Sequence, residues 1–367
     1  MRISDKDISG CAIAGILCED GRRISGETVT RSIALMRERS NGLGGGFAAY
    51  GIYPDYADHY CFHVLYDGLG EPGREEAERI IDFYFEVEHD EPVPIRRVQE
   101  IGHPPRFRRY FLTLKQSVRE EYYDLSETDL VIRAVMKING DVANAFVVSS
   151  GKNMGVFKGV GYPEDISRLF MLEDYKAYLW TAHGRFPTNT SGWWGGAHPF
   201  GILDWSVVHN GEISSYGINR RFLQDFGYEC TMFTDTEVIA YICDLLIRKH
   251  ELPVEVAARA MAPPFWEEID SGRSPSPELD RALRIAYGGA MLNGPFSIVV
   301  GFTGGMFALS DRLKLRPASA ARADSTLYVA SEESAIRAIC PDPDEIWNID
   351  GGVPVIGRLR QPAATEV

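Results

Sequence analysis

The chain alternates short apolar runs with amphipathic stretches. Residues 11–17, CAIAGIL, are apolar and are closed by the charged CEDGRR, which predicts a buried strand. Val29, Ile33 and Met36 fall at helical spacing within residues 26–40 and predict a helix there. NGLGGGFAAYGIYP then breaks the helix and opens another strand. The glycines between 42 and 46 follow a helix rather than a strand and do not fit GxGxxG. No dinucleotide site is expected there.

Residues 58–150 read as a separate unit. HYCFHVLYDG predicts a strand. REEAERIIDFYFEV predicts a helix running into a second strand, and RRYFLTLK a third. SETDLVIRAVMKINGDVANAF predicts a helix whose Ser-x-x-Asp start is close to a capping box, and AFVVSSG closes the unit as a strand. This β-α-β-β-α-β order predicts a ferredoxin-like inserted subdomain.

Residues 175–213 are rich in aromatics and glycine, and DWSVVHNGEI predicts a strand and a turn. TDTEVIAYICDLLIRKH predicts an amphipathic helix. SGRSPSPE (271–278) predicts a solvent loop. GPFSIVVGFTGGMFAL predicts a β-hairpin turning at Thr-Gly-Gly. STLYVASEESAIRAI predicts a strand and a helix, and EIWNIDGGVPVIGRLR a last strand pair.

At 367 residues, 45% hydrophobic and 25% charged, the chain has room for one large or two modest domains with a sizeable core. A formal charge of −14 argues against a nucleic acid or an anionic membrane as partner. No apolar run approaches the roughly 18–20 residues of a membrane span. The opening MRISDKDISG lacks the apolar stretch of a secretory signal, so a cytoplasmic location is expected. Cysteines stand at 11, 18, 61, 230, 243 and 340, with no CxxC pair. They read as reduced, mostly buried thiols, and neither a metal nor an iron–sulfur site is expected in this chain.

Cys11 follows Ser9-Gly10, small flexible residues that suit a cleavage point. An N-terminal cysteine carries its own base, because an α-amine titrates near pH 7.7–8.0 unperturbed, roughly. The alternative is an ordinary strand thiol. His183, His198 and His209 lie 15 and 11 residues apart, a spacing that suits core or hydrogen-bonding histidines better than a metal site. Trp193-Trp194 suits packing or a lid.

Several motifs occur in order: Cys11-Ala12-Ile13-Ala14-Gly15, Arg185-Phe186-Pro187-Thr188-Asn189-Thr190, Ala197-His198-Pro199-Phe200, His209-Asn210-Gly211-Glu212-Ile213 and Thr234-Asp235-Thr236-Glu237. Gly294-Pro295-Phe296-Ser297 and Ala330-Ser331-Glu332-Glu333 follow. Together they resemble the class II (N-terminal-nucleophile) glutamine amidotransferases, over about two-thirds of the chain. Within that family the chain looks most like the amidotransferase part of glutamate synthase, of the archaeal stand-alone type. Ala12 stands where the family has glycine, and Pro187 where it has serine.

The resemblance implies an α+β fold, a four-layer αββα sandwich. Residues 11–57 and 151–367 would form the amidotransferase domain, residues 58–150 the inserted subdomain and residues 1–10 a propeptide. It implies Cys11 as nucleophile and Asn210 with Gly211 as oxyanion hole. Arg185 and Thr188 would hold the glutamine α-carboxylate, and Asp235 the α-ammonium. Taken singly, Arg185 reads as a surface ion pair, Asn210-Gly211 as a tight turn and Asp235 as a helix cap. L-glutamine is the implied substrate. A separate synthase subunit carrying FMN and iron–sulfur clusters is the implied partner. Ammonia supply to another acceptor, such as methylamine, and a non-catalytic binding role are the alternatives.

Overall fold

The computed structural model describes residues 10–67, 72–186 and 192–360. The strand Ala12–Cys18 shows how the core is organised. Ala12, Ala14 and Ile16 point into one apolar cluster, and Ile13 and Leu17 into another. The two-residue period of a strand thus buries both faces, which is why the run carries no polar alternation.

This strand is central to a seven-stranded antiparallel sheet. The order is Glu345–Asn348, Ser319–Ala323, Thr326–Ala330, Ala12–Cys18, Leu179–Gly184, Gly45–Tyr50, Met154–Gly159. A five-stranded antiparallel sheet lies against it, ordered Phe200–Ile202, Trp205–Gly211, Phe296–Phe302, Gly305–Ser310, Val355–Arg358. Ile13, Leu17, Val156, Val208, Val299 and Met306 fill the space between the sheets. Helices Gly26–Leu35, Pro163–Leu169 and Glu333–Arg337 cover the larger sheet. Helices including Tyr216–Gln224, Asp235–Cys243 and Val254–Met261 cover the smaller. The result is the four-layer αββα sandwich.

Strands Tyr60–Tyr66, Phe85–Pro92, Arg106–Leu114 and Ala145–Ser149, with helices Pro72–Tyr84 and Glu127–Asp141, form a further antiparallel sheet. Numbered along the chain, its strands are ordered 2-3-1-4, the ferredoxin-like arrangement. Its helix side shares one continuous apolar cluster with the helices over the smaller sheet. Among the described residues, no helix is long and apolar enough to cross a membrane.

Two local expectations change. The tail strands Glu345–Asn348 and Val355–Arg358 do not pair with each other but join the edges of different sheets. The Gly351-Gly352 step between them crosses from sheet to sheet. A Cβ on Gly351 would lie 2.5 Å from Arg312 O, so only glycine lets the chain pass. The helix starting at Asp235 is not amphipathic in its first turns. Thr236 to Cys243 are all buried, because the strands Phe200–Ile202 and Trp205–Gly211 and the helix Tyr216–Gln224 pack around the helix. A π-helical stretch, Asp244–Lys249, then carries it to the surface.

Candidate active site

Strand register assembles the site. Ala12 pairs with Gly184 and Gly184 with Gly45, so three strand ends lie side by side. Cys11 precedes the first strand and Arg185 follows the second. Arg185 is pinned by its own backbone, with N donating to Gly44 O at 2.8 Å and O accepting from Asn41 N at 3.3 Å. Glycines at 44 and 46 make room. A Cβ on Gly44 would lie 2.9 Å from Arg185 Cδ, and one on Gly46 2.3 Å from His198 O.

Cys11 Sγ accepts a hydrogen bond from Phe186 N at 3.3 Å, and the thiol faces Phe186 O at 3.9 Å. Burial pushes the thiol pKa up. The Phe186 N–H and the Arg185 and Arg316 guanidiniums oppose that, and Asp235 adds to it. With residue 10 still attached, Cys11 is therefore a thiol rather than a thiolate and needs a base to attack. Arg185 is 8% exposed. Burial lowers its pKa, while Cys11 and Asp235 counteract.

Strand Trp205–Gly211 of the smaller sheet delivers Asn210 and Gly211. Asn210 is fully buried, yet both its side-chain oxygen and nitrogen lack a hydrogen-bond partner. Such an amide costs about 1–3 kcal/mol, and both of its polar atoms are available to a ligand. Gly211 has φ +145°, and a Cβ there would lie 2.0 Å from Pro295 O. The tight approach frees the chain to turn at the strand end without a side chain in the way.

The Thr234-Asp235-Thr236-Glu237 segment divides its work. Thr234 caps the helix through its side chain, accepting from Thr236 N at 3.1 Å. Asp235 accepts from Ile213 N at 2.9 Å and lies 3.6 Å from His209 Nδ1. Burial alone would raise its pKa, but His209, the Ile213 N–H and Thr236 hold it below the usual carboxylate range. Asp235 is thus ionised and only partly covered. Thr236 Oγ1 stands 3.2 Å from His209 Nδ1 and 3.2 Å from His198 Nε2. Glu237 accepts from Thr231 N and Met232 N, both at 3.0 Å.

The three histidines are distant in sequence but meet in space. His183 stacks on His198 with centroids 4.0 Å apart, and His198 lies 6.4 Å from His209, nearly parallel. Sequence spacing was no guide to this, since each comes from a different strand end. His183 Nε2 donates to His209 O at 3.0 Å. Burial drives His183 down to about 3 and His198 well below its ordinary value, so both are neutral. Among the described residues, no group of side chains is arranged to hold a metal ion. Trp193 and Trp194 pack inward, Trp194 against Phe107 and Gly159 and Trp193 against Phe146.

Cys11, Arg185 and Asp235 are close enough to shift one another's charge, and Asn210 borders the residue before Cys11. Thr188 lies outside the described residues. Sequence reasoning overlooked Thr236 and Glu237, although both sit in a motif it used. It also overlooked Lys158, whose buried Nζ donates to Gly195 O at 2.9 Å and Pro199 O at 3.3 Å and whose pKa burial lowers to about 7. Lys158 lies in an apolar strand, and no local pattern marks it. A cavity of about 610 Å³ between helices Pro72–Tyr84 and Glu127–Asp141, lined by Arg79, Tyr122 and Arg133, lies in the inserted sheet's layer. None of its lining residues carries an orphaned buried polar atom among the described residues.

The sequence pattern of the class II glutamine amidotransferases matches residues 91–346. An uncharacterized protein of Archaeoglobus fulgidus is 51% identical over 98% of this chain and 94% of its own length. A glutamine–fructose-6-phosphate aminotransferase of Pseudomonas syringae pv. tomato is 31% identical over 50% of this chain and 28% of its own. The solved structure of the B. subtilis glutamine phosphoribosylpyrophosphate amidotransferase with ADP and GMP is similar at TM-score 0.44 and 14% identity, over 96% of this chain and 50% of that one. On the match over residues 91–346, this chain belongs to the class II glutamine amidotransferases.

Proposed function

We propose that this chain hydrolyses L-glutamine to glutamate and ammonia through Cys11, once residues 1–10 are removed. The observation that carries the reading is the orphaned amide of Asn210, buried beside the residue that precedes Cys11.

The α-amine exposed at Cys11 takes the thiol proton, and Sγ attacks the glutamine side-chain carbonyl. The oxyanion accepts hydrogen bonds from the Asn210 side-chain N–H and the Gly211 backbone N–H. The carbon–nitrogen bond breaks, and the amine returns the proton to the leaving ammonia. Water then attacks the γ-glutamyl thioester and releases glutamate. Arg185, with Thr188, grips the α-carboxylate through its planar fork. Ionised Asp235 pairs with the α-ammonium, which selects a free amino acid over a peptide.

The ammonia is passed to a glutamate synthase subunit for addition to 2-oxoglutarate. FMN and iron–sulfur clusters would reside on that subunit, in the cytoplasm. The stretch SSGKNMGVFKGVGYPEDIS ahead of HGRFPTNT supports this acceptor, and an aminotransferase-type or methylamine acceptor is the competing assignment.

The test is the intact mass of the purified protein before and after a glutamine-analogue electrophile. The reading expects a chain beginning at Cys11 that gains one adduct, absent in Cys11→Ala. A chain that keeps residues 1–10 and stays unlabelled with its synthase partner present overturns it. Failure to co-purify or bind any synthase subunit overturns the acceptor alone.

A further inference from the structure

The space beside Cys11 N is enclosed by charge. A Cβ at residue 10 would lie 3.0 Å from Arg316 Nη1, 3.7 Å from Asn210 Oδ1 and 3.8 Å from Arg39 Nη2. Backbone geometry puts that point about 3 Å from Cys11 N. Arg316 therefore comes within about 6 Å of the nitrogen that cleavage would free.

The position of Arg316 is built, not incidental. Its carbonyl accepts from Ser297 Oγ at 3.2 Å, and Ser297 is the residue paired opposite Asn210 in the smaller sheet. Asp311 fixes the turn leading to it, accepting from Leu313 N at 2.9 Å and Leu315 N at 3.0 Å. The same strand pair that supplies Asn210 thus sets the main chain of Arg316.

The charged groups around this nitrogen do not contribute equally. Arg39, which donates to Cys11 O at 3.4 Å, is paired with Glu332 at 2.9 Å. Arg185 and ionised Asp235 oppose each other across the thiol. Arg316 is different. Its Nε is buried without a hydrogen-bond partner, and no carboxylate pairs with it among the described residues.

We propose that Arg316 is a positioning residue for the Cys11 α-amine, its guanidinium, which has no carboxylate partner among the described residues, keeping that amine in the neutral, proton-accepting form. The inference rests on the reading that this amine is the base of a Cys11 glutaminase. A nearby cation disfavours an ammonium, so the amine accepts the thiol proton at lower pH than a free N-terminus would.

The experiment uses chains started as Met-Cys11, so that removal of the initiator methionine exposes Cys11 in every variant, verified by intact mass. Glutaminase kcat/KM is measured against pH for the wild type, Arg316→Lys and Arg316→Met. The acid limb of Arg316→Met is expected to move up by about one pH unit, while Arg316→Lys keeps the wild-type limb. A rate lowered equally at all pH values, with the limb unmoved, shows a merely structural role and overturns the proposal. So does a limb that moves as far in Arg316→Lys as in Arg316→Met, because shape rather than charge would then matter. A wild-type chain beginning at Cys11 with no Cys11-dependent glutaminase at any pH removes the function reading itself, and this inference with it.

Discussion

The backbone N–H of Phe186 points at Cys11 Sγ, 3.3 Å away. Phe186 directly follows Arg185, so the sulfur and the guanidinium are registered to each other through one peptide unit and the Ala12–Gly184 pair. On the proposed reading, a glutamine carboxylate held by Arg185 would thereby be placed relative to Cys11 Sγ. Arg185→Lys keeps the charge but loses the fork. It should raise KM for glutamine by ten-fold or more, about the 1.5–3 kcal/mol of a charge-assisted hydrogen bond, with a smaller effect on kcat. Steady-state glutaminase kinetics check this, and an unchanged KM would remove Arg185 from the carboxylate site.

Asn210 separates activity from stability. Its amide is buried and unpaired, so Asn210→Ala removes a desolvated group rather than a bond. We expect kcat to fall about 10²–10³-fold, the effect of losing one oxyanion donor. The melting temperature should stay level or rise. A large fall in melting temperature would show that the amide is structural.

Gly211 has the opposite character. At φ +145° with Pro295 O in the way, Gly211→Ala must move the backbone whose N–H is the proposed oxyanion donor. It should lose more than about 1 kcal/mol of stability and most activity together. Urea midpoints read the first and glutaminase rate the second.

The buried histidines predict an acid limit to stability. His183 has a folded pKa near 3 because burial disfavours its charge, against about 6.5 when unfolded. Its folded pKa is depressed, so the unfolded chain binds one more proton between these values, and stability falls as pH falls from about 6.5 towards 3. His183→Gln retains a neutral donor for His209 O. Its stability should decline less steeply, by about 1.4 kcal/mol per pH unit, in urea titrations over that range. Parallel curves for the two proteins would contradict the buried, neutral state.

Much of this was legible in the residues. The doubly buried strand at Ala12–Cys18, the hairpin of Phe296–Phe302 and Gly305–Ser310, and the helix capped at Ser126 follow from local period and turn chemistry. The tail was misread because a glycine pair serves a hairpin and a sheet-to-sheet crossing alike. The helix at Asp235 was misread because the strands Phe200–Ile202 and Trp205–Gly211 and the helix Tyr216–Gln224 surround it, and no local pattern shows that cover.

The sequence by itself determined the elements, the order of the motifs and the identity of the chemical groups, since these depend on side-chain type and local spacing. Only the tertiary structure decided what each group faces. Antiparallel register set Cys11 beside Arg185, and the opposing sheet brought Asn210 and Arg316 to the same strand end. The stacking of His183 on His198 and the burial of Lys158 arise from contacts between residues far apart along the chain. Burial, charge compensation and proton affinity are properties of those surroundings, and no local pattern encodes them.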